Sequence, residues 1–162
     1  MVSRRSGKSH SANQQALDEI TWDLVAIDPG ERAGIAYFHG GELLLAEAPQ
    51  ASRPMQGARE KVKQAVLEVP FKYPRDNIDP NRLITLAVTA GRLLGRFEAK
   101  GVLFVHPRQW KGQRPKNVDI RYTYKLLSPN EQKVVDKATT LKTERHNVLD
   151  AVGIGLWKLG RR

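Results

Sequence analysis

The chain has 162 residues, of which 40% are hydrophobic, a size and composition typical of one globular domain with its own core. It has no cysteine, which excludes disulfides, thiolate metal sites and thiol nucleophiles. Its 27 Lys and Arg against 17 Asp and Glu give a net charge of +10, which favours a polyanionic partner, above all nucleic acid.

The chain carries no sign of membrane insertion or export. Its apolar runs span a few residues, far fewer than the roughly 20 needed to cross a bilayer. The basic start over residues 1–7 lacks the apolar core of a secretion signal. We therefore expect a soluble, intracellular protein, located in the cytoplasm or nucleoid or in the cytoplasm of a phage-infected host.

The first half of the chain predicts a flexible tail followed by three hairpin-linked strands. Residues 1–19 are basic and polar without an apolar period, so a single domain is expected over 20–162. The first strand, 22–27, is stopped by the turn Asp28-Pro29-Gly30. Further strands at 33–38 and 42–47, joined by short turns, predict an antiparallel meander.

The second half alternates strands with helices. Residues 59–63 predict a short helix, followed by a buried strand that carries Glu68. The remaining predicted elements are a helix from Asp79-Pro80 to about Lys100, a fifth strand at 102–105, and helices at 116–127, 130–139 and 144–160. The predicted fold is α/β, a five-stranded mixed sheet with antiparallel strands 1–3, flanked by helices.

Three carboxylates, Asp28, Glu68 and Asp150, occupy positions where the surrounding pattern is apolar or forces a turn. A buried carboxylate is costly unless it protonates, pairs with a cation or binds metal. Without cysteine, a hard ion with oxygen ligands such as Mg²⁺ or Mn²⁺ is the natural partner. Taken singly, Asp28 also fits a turn cap, and Glu68 and Asp150 also fit solvated surface positions.

The last helix groups side chains of ligand type. His146, Asn147 and Asp150 stand at spacings of three and four residues, so they project from one face. Ala151, Gly153 and Gly155 are small, as a helix pressed closely against a sheet requires. His146 also fits a surface position.

A basic segment lies between residues 108 and 125, where aromatic residues interleave with cations and Asp119 is the single acid. Such a mixture favours contact with phosphates and stacking on exposed bases, although Trp110 also fits the core. The predicted nucleic-acid contacts are Arg108, Trp110, Lys111, Arg114, Lys116, Arg121 and Lys125.

Four segments in order resemble the motifs of RuvC-type Holliday junction resolvases, which belong to the RNase H-like superfamily. They are Ala26–Ala36 for the opening motif, Leu67–Pro70 for the strand glutamate, Pro107–Lys111 after the fifth strand, and His146–Ala151 for the helical acidic motif. The likeness spans about residues 22–158, and the small size suits a phage or mobile-element member.

The resemblance implies an RNase H-like fold and two Mg²⁺ or Mn²⁺ ions per site, held by Asp28, Glu68 and Asp150. It further implies that a lysine after the fifth strand, Lys111 or Lys116, faces the scissile phosphate. Contacts to the junction centre fall by position on Phe71, Tyr73 and Arg75.

One position departs from the family pattern. Resolvases of this type place an acid or a histidine three residues before the final aspartate, where this chain has Asn147. Asn147 offers a neutral carbonyl oxygen as fourth ligand and no base, so His146 is the alternative for both tasks.

The expected activity is metal-dependent cleavage of four-way or other branched DNA by a homodimer, because paired cuts call for two sites related by a two-fold axis. No nucleotide cofactor is expected. One alternative is a related nuclease acting on RNA, of the ribosomal RNA maturation type. Another is a junction-binding protein with weak or no cleavage. The sugar-kinase and actin-like ATPases need two such domains, and this chain is too short for them.

Overall fold

The computed structural model describes residues 21–30, 32–50, 59–74, 77–139 and 142–162, except for the side chains of 142 and 143. The predicted tail over 1–19 and the predicted junction contact Arg75 lie outside these residues. Within the described ranges, no helix combines the length and the apolar character that crossing a bilayer requires.

A five-stranded mixed sheet in the order β3-β2-β1-β4-β5 forms the centre of the fold. The strands β1, β2 and β3 form the predicted antiparallel meander, whereas β1, β4 and β5 run parallel to one another. Gly40 and Gly41 turn the chain from β2 to β3 with φ of 59° and 81°, a conformation that glycine adopts without a Cβ clash. The strands are β1 (Trp22–Asp28), β2 (Gly34–His39), β3 (Glu42–Glu47), β4 (Glu60–Glu68) and β5 (Phe97–Val105).

Helices pack on both faces of this sheet, as predicted. Ala90 and Leu93 of α1 join the apolar cluster on one face, and α5 packs with α3 and α4 on the other. Every residue over 148–156 is buried, so α5 is the central helix of its layer. The helices are α1 (Pro80–Leu94), α2 (Pro107–Lys111), α3 (Lys116–Leu126), α4 (Pro129–Ala138) and α5 (Lys142–Lys158).

Close packing of α5 against β2 depends on small residues at the contact. A Cβ on Gly155 would lie 2.2 Å from the Phe38 ring, and a Cβ on Gly34 would lie 1.9 Å from the backbone oxygen of Asn147. The predicted reason for the small residues of the last helix is therefore confirmed at Gly155.

The predicted helix over 59–63 is wrong, because these residues begin β4. Val62 is buried and pairs with Trp22 on one side and Ala99 on the other. Its charged neighbours Lys61 and Lys63 are exposed. This alternation of exposed lysines with a buried valine has the period of a strand and not that of a helix.

The predicted end of the long helix near Lys100 is also wrong. The helix α1 ends at Leu94, and Gly95 caps it with a hydrogen bond from its N–H to the Gly91 oxygen. The next residues pair with β4, so β5 begins at Phe97 rather than at 102. The short helix α2 was not predicted, although Pro107 at its start suits a first helical turn.

Candidate active site

Two of the three predicted carboxylates end neighbouring parallel strands. Asp28 is the last residue of β1, and Glu68 is the last residue of β4. The residues just before them, Ile27 and Leu67, are paired in register, so both carboxylates lie at the same edge of the sheet. Asp150 reaches this edge from α5, which packs against β1 and β2. Three separate elements thus bring the predicted carboxylates together.

These carboxylates interact electrostatically. Burial raises the pKa of Asp28 well above its usual range, and the negative charges of Asp150 and Glu68 raise it further. Burial likewise raises the pKa of Glu68 and of Asp150, against the opposing effect of Lys111. Burial is thus the main cause of the raised pKa of all three carboxyls, and at Asp28 the neighbouring carboxylates add to it.

Two predicted lysines and a histidine surround this cluster. The Lys116 Nζ lies 3.8 Å from Asp150 Oδ2, while 58% of its side chain is exposed. Lys111, at the end of α2, lowers the pKa of both Glu68 and Asp150. His146 is close enough to Asp150 to lower the pKa of that carboxyl. Both lysine candidates thus lie beside the carboxylates.

Trp110 is part of this site rather than of its surface. The indole is 2% exposed, and its N–H donates a hydrogen bond to Glu68 Oε2 at 2.5 Å. The predicted nucleic-acid contact requires a Trp110 ring face that is open to a base. In this position the ring has no such open face. No local sequence pattern predicts this bond, because 42 residues separate the two partners.

Asn147 connects α5 to the turn between β1 and β2 through a hydrogen bond. Its Nδ2 donates a hydrogen bond to the Arg32 backbone oxygen at 2.5 Å, and the Arg32 guanidinium pairs with Glu144 one turn earlier in the helix. The amide nitrogen is thus occupied by the backbone. A metal-ligand role for the Asn147 carbonyl oxygen stays a prediction.

The basic segment presents most of its cations to solvent. Lys111 is half-buried, and Arg114 pairs with the buried Asp119 at 3.0 Å. The exposed members are Arg108, Arg114, Lys116, Arg121 and Lys125.

Aromatic residues adjoin this basic segment on the side of β4. Phe71 is 43% exposed and packs edge-on against Tyr73, with ring centroids 4.8 Å apart. Arg108 lies over the Tyr73 ring at 3.9 Å, and Phe71 lies 4.5 Å from the His106 ring. The two predicted junction-centre aromatics therefore share one cluster with a predicted DNA contact.

In the part of the chain that the structure describes, no group of three or more Asp, Glu and His side chains is arranged to hold a metal ion. Comparison of the chain with protein-family models and with curated proteins finds no match.

Proposed function

We propose that the protein is an RNase H-like nuclease that resolves four-way or other branched DNA junctions with Mg²⁺ or Mn²⁺. The observation that carries this proposal is the convergence of Asp28, Glu68 and Asp150, from three elements, at one edge of the sheet. The strand order, with an antiparallel meander beside two parallel strands, supports the RNase H-like assignment.

The cluster supplies the type of oxygen donor that a hard divalent ion takes, although its side chains as described do not stand in a metal-holding arrangement. Asp28, Glu68 and Asp150 would supply carboxylate oxygens, which such ions prefer, and cations there would offset the burial and the neighbouring negative charges that raise the pKa of Asp28. Two bound ions supply activation of water and stabilisation of the leaving oxygen. Lys111 and Lys116, beside these carboxylates, would pair with the phosphate.

The surface around the cluster suits a phosphate backbone. Residues 108–125 carry several exposed cations, which would contact phosphates. One of them, Lys116, also pairs with Asp150 in the cluster. The exposed Phe71 ring offers a stacking surface for a base that a junction leaves unpaired.

A homodimer is part of the proposal, since paired cuts need two sites. The structure offers an apolar surface for it on α1 and β5, where large side chains stand in solvent. Their exposed fractions are 62% for Ile84, 59% for Val88, 43% for Val102 and 56% for Phe104. Large apolar side chains exposed in this way are typical of association sites where they form one patch. Light scattering should find a dimer for the protein and a monomer for Ile84→Glu.

An electrophoretic assay tests the activity. Synthetic four-way junctions should be cut in Mg²⁺ or Mn²⁺, and Asp28→Asn should reduce the rate at least about a thousandfold, because removal of a group central to the chemistry costs this much. Linear duplex of the same sequence is the matched substrate control. Uncut junctions with either metal, or full activity of Asp28→Asn, would contradict the proposal.

A second candidate function is junction binding with weak or no cleavage. Asn147 favours it, because its amide nitrogen is bound to the Arg32 oxygen and a neutral amide adds no charge to a metal site. Tight, salt-sensitive binding without cleavage would select this function. Cleavage confined to a structured RNA would instead select the RNA-directed nuclease.

A further inference from the structure

We propose that Arg162 is a positioning residue that fixes the Glu68 carboxylate through the Trp110 indole. This inference rests on the proposed function, in which Glu68 belongs to the active site. Arg162 lies outside the span of the sequence resemblance and was not among the predicted site residues.

The Trp110 ring is held between Glu68 and Arg162. At its edge, the indole N–H donates to Glu68 Oε2 at 2.5 Å. Over its face, the Arg162 guanidinium carbon lies 4.9 Å from the ring centroid, within the range of a cation–π interaction. The direction of the N–H group, and hence the position of the carboxylate that accepts it, depends on the orientation of this ring.

Arg162 is itself rigidly held. Its side chain is 1% exposed and pairs with the Asp119 carboxylate, which is also 1% exposed. Its NH1 donates to Thr123 Oγ1 at 2.7 Å. Asp119 and Thr123 stand one turn apart on α3, so this helix anchors the guanidinium at two points. A buried arginine with two fixed partners has little freedom to leave the ring.

The helix that carries Asp150 closes the remaining space. A Cβ on Gly153, three residues after Asp150, would lie 2.8 Å from Trp110 Cζ3 and 2.5 Å from Arg162 NH1. The indole and the guanidinium therefore pack directly onto the α5 backbone. A continuous set of contacts thus joins Glu68 on β4 to the helix of Asp150, and the two carboxylates are positioned relative to each other.

Support of a site carboxylate has an effect that is distinct from stability. Removal of a residue that orients a metal ligand typically weakens metal binding about 10- to 100-fold. Because the Arg162 charge over the ring affects the indole N–H directly, the effect of each Arg162 variant is compared in wild type and in a Glu68→Gln background, where no carboxylate accepts the bond.

The indole N–H resonance of Trp110 provides that readout without metal. The chain has three tryptophans, so a proton–nitrogen NMR spectrum contains three indole signals, and Trp110→Phe identifies the relevant one. Arg162→Lys keeps a charge for Asp119 but loses the flat guanidinium, and Arg162→Met loses both. Each should move the Trp110 signal, as should Glu68→Gln. Arg161→Met is the matched control, since Arg161 pairs with Glu131 and makes its contacts elsewhere.

Calorimetry with Mn²⁺ then connects the indole to the site. We expect Arg162→Lys to weaken Mn²⁺ binding roughly tenfold and Arg161→Met to leave it unchanged. An unmoved Trp110 signal in both Arg162 variants overturns the inference, as do equal shifts in Arg161→Met. If the wild-type protein binds no Mn²⁺, the metal part of the proposed function fails. A Trp110 signal that the Arg162 variants move further in wild type than in the Glu68→Gln background still supports the positioning of Glu68, and equal shifts in the two backgrounds overturn it.

Discussion

The molecule holds buried carboxylates in two different ways. Glu131 receives two hydrogen bonds from the Arg161 guanidinium, at 2.7 and 2.8 Å, and further ones from the backbone N–H groups of Leu43 and Ser128. Although burial acts to raise it, these bonds lower the pKa of Glu131 to about 2. At Asp28, burial and neighbouring carboxylates act together, and its pKa is raised well above the usual range.

The difference lies in the kind of cation that each carboxylate meets. A guanidinium fixed by two bonds neutralises Glu131 permanently, so that contact is structural. The carboxylates of the proposed site meet lysines, and Lys116 is mostly exposed and lies 3.8 Å from Asp150. These groups lie on three packed elements, and burial raises the pKa of each of them. Four substitutions test this contrast.

Removal of the fixed cation should have the largest effect. Arg161→Met leaves the Glu131 carboxylate buried without its charge partner, and we expect a loss of about 3 kcal/mol in the free energy of unfolding. Denaturant unfolding at pH 7 measures this change. The double variant Arg161→Met with Glu131→Gln is the control, and it should recover part of the loss because no unpaired charge remains.

The pH dependence of the same contact has a defined sign. The pKa of Glu131 is about 2 in the folded protein against a usual value of 4.5. The contact therefore stabilises the fold above about pH 4.5, and its contribution disappears as the pH falls towards 2. The stability difference between wild type and Arg161→Met should shrink over this window, and a constant difference would contradict the assignment.

Backbone packing is tested at Gly34. An alanine Cβ there would lie 1.9 Å from the Asn147 backbone oxygen, so α5 must move away from β2. Because Gly34 is paired with Asp28, this movement also takes Asp150 away from Asp28. We expect Gly34→Ala to cost about 1–3 kcal/mol, as overpacking does, and to reduce cleavage. Gly91→Ala is the control, because its Cβ would meet nothing within 4 Å in α1, and helix propensity should make it neutral or stabilising.

Neutralisation of a repelled carboxylate should stabilise the fold. We expect Asp28→Asn to raise the free energy of unfolding at pH 7 by about 1 kcal/mol while abolishing cleavage. Since the pKa of Asp28 is raised in the folded protein, ionisation costs stability as the pH rises, and the gain should vanish in acid. Asp136→Asn is the control. Its carboxylate is bound by Arg145, which lowers its pKa, so this variant should show no gain.

The sheet and the carboxylates were predictable, whereas their supports were not. Alternating apolar residues and the Asp28-Pro29-Gly30 turn indicate β1, and the place of Glu68 in an apolar run indicates its strand. The bond from Trp110 to Glu68 and the ion pair of Arg162 with Asp119 join residues 42 and 43 positions apart. No local period encodes such contacts. The prediction for the start of β4 was wrong because most residues there are charged. Its pairing with β5 makes this segment a strand.

The smallest effect on stability is expected at Lys116. Because 58% of its side chain is exposed and the ion pair spans 3.8 Å, Lys116→Gln should change the free energy of unfolding by less than about 0.5 kcal/mol. The substitution should have a clearer effect on junction binding. In a plot of log affinity against log salt concentration, loss of one phosphate contact reduces the magnitude of the slope by about 1. Lys137→Gln, an exposed change in α4 outside the basic segment, should leave that slope unaltered. Equal slopes for both variants would show that Lys116 serves Asp150 alone and not a phosphate.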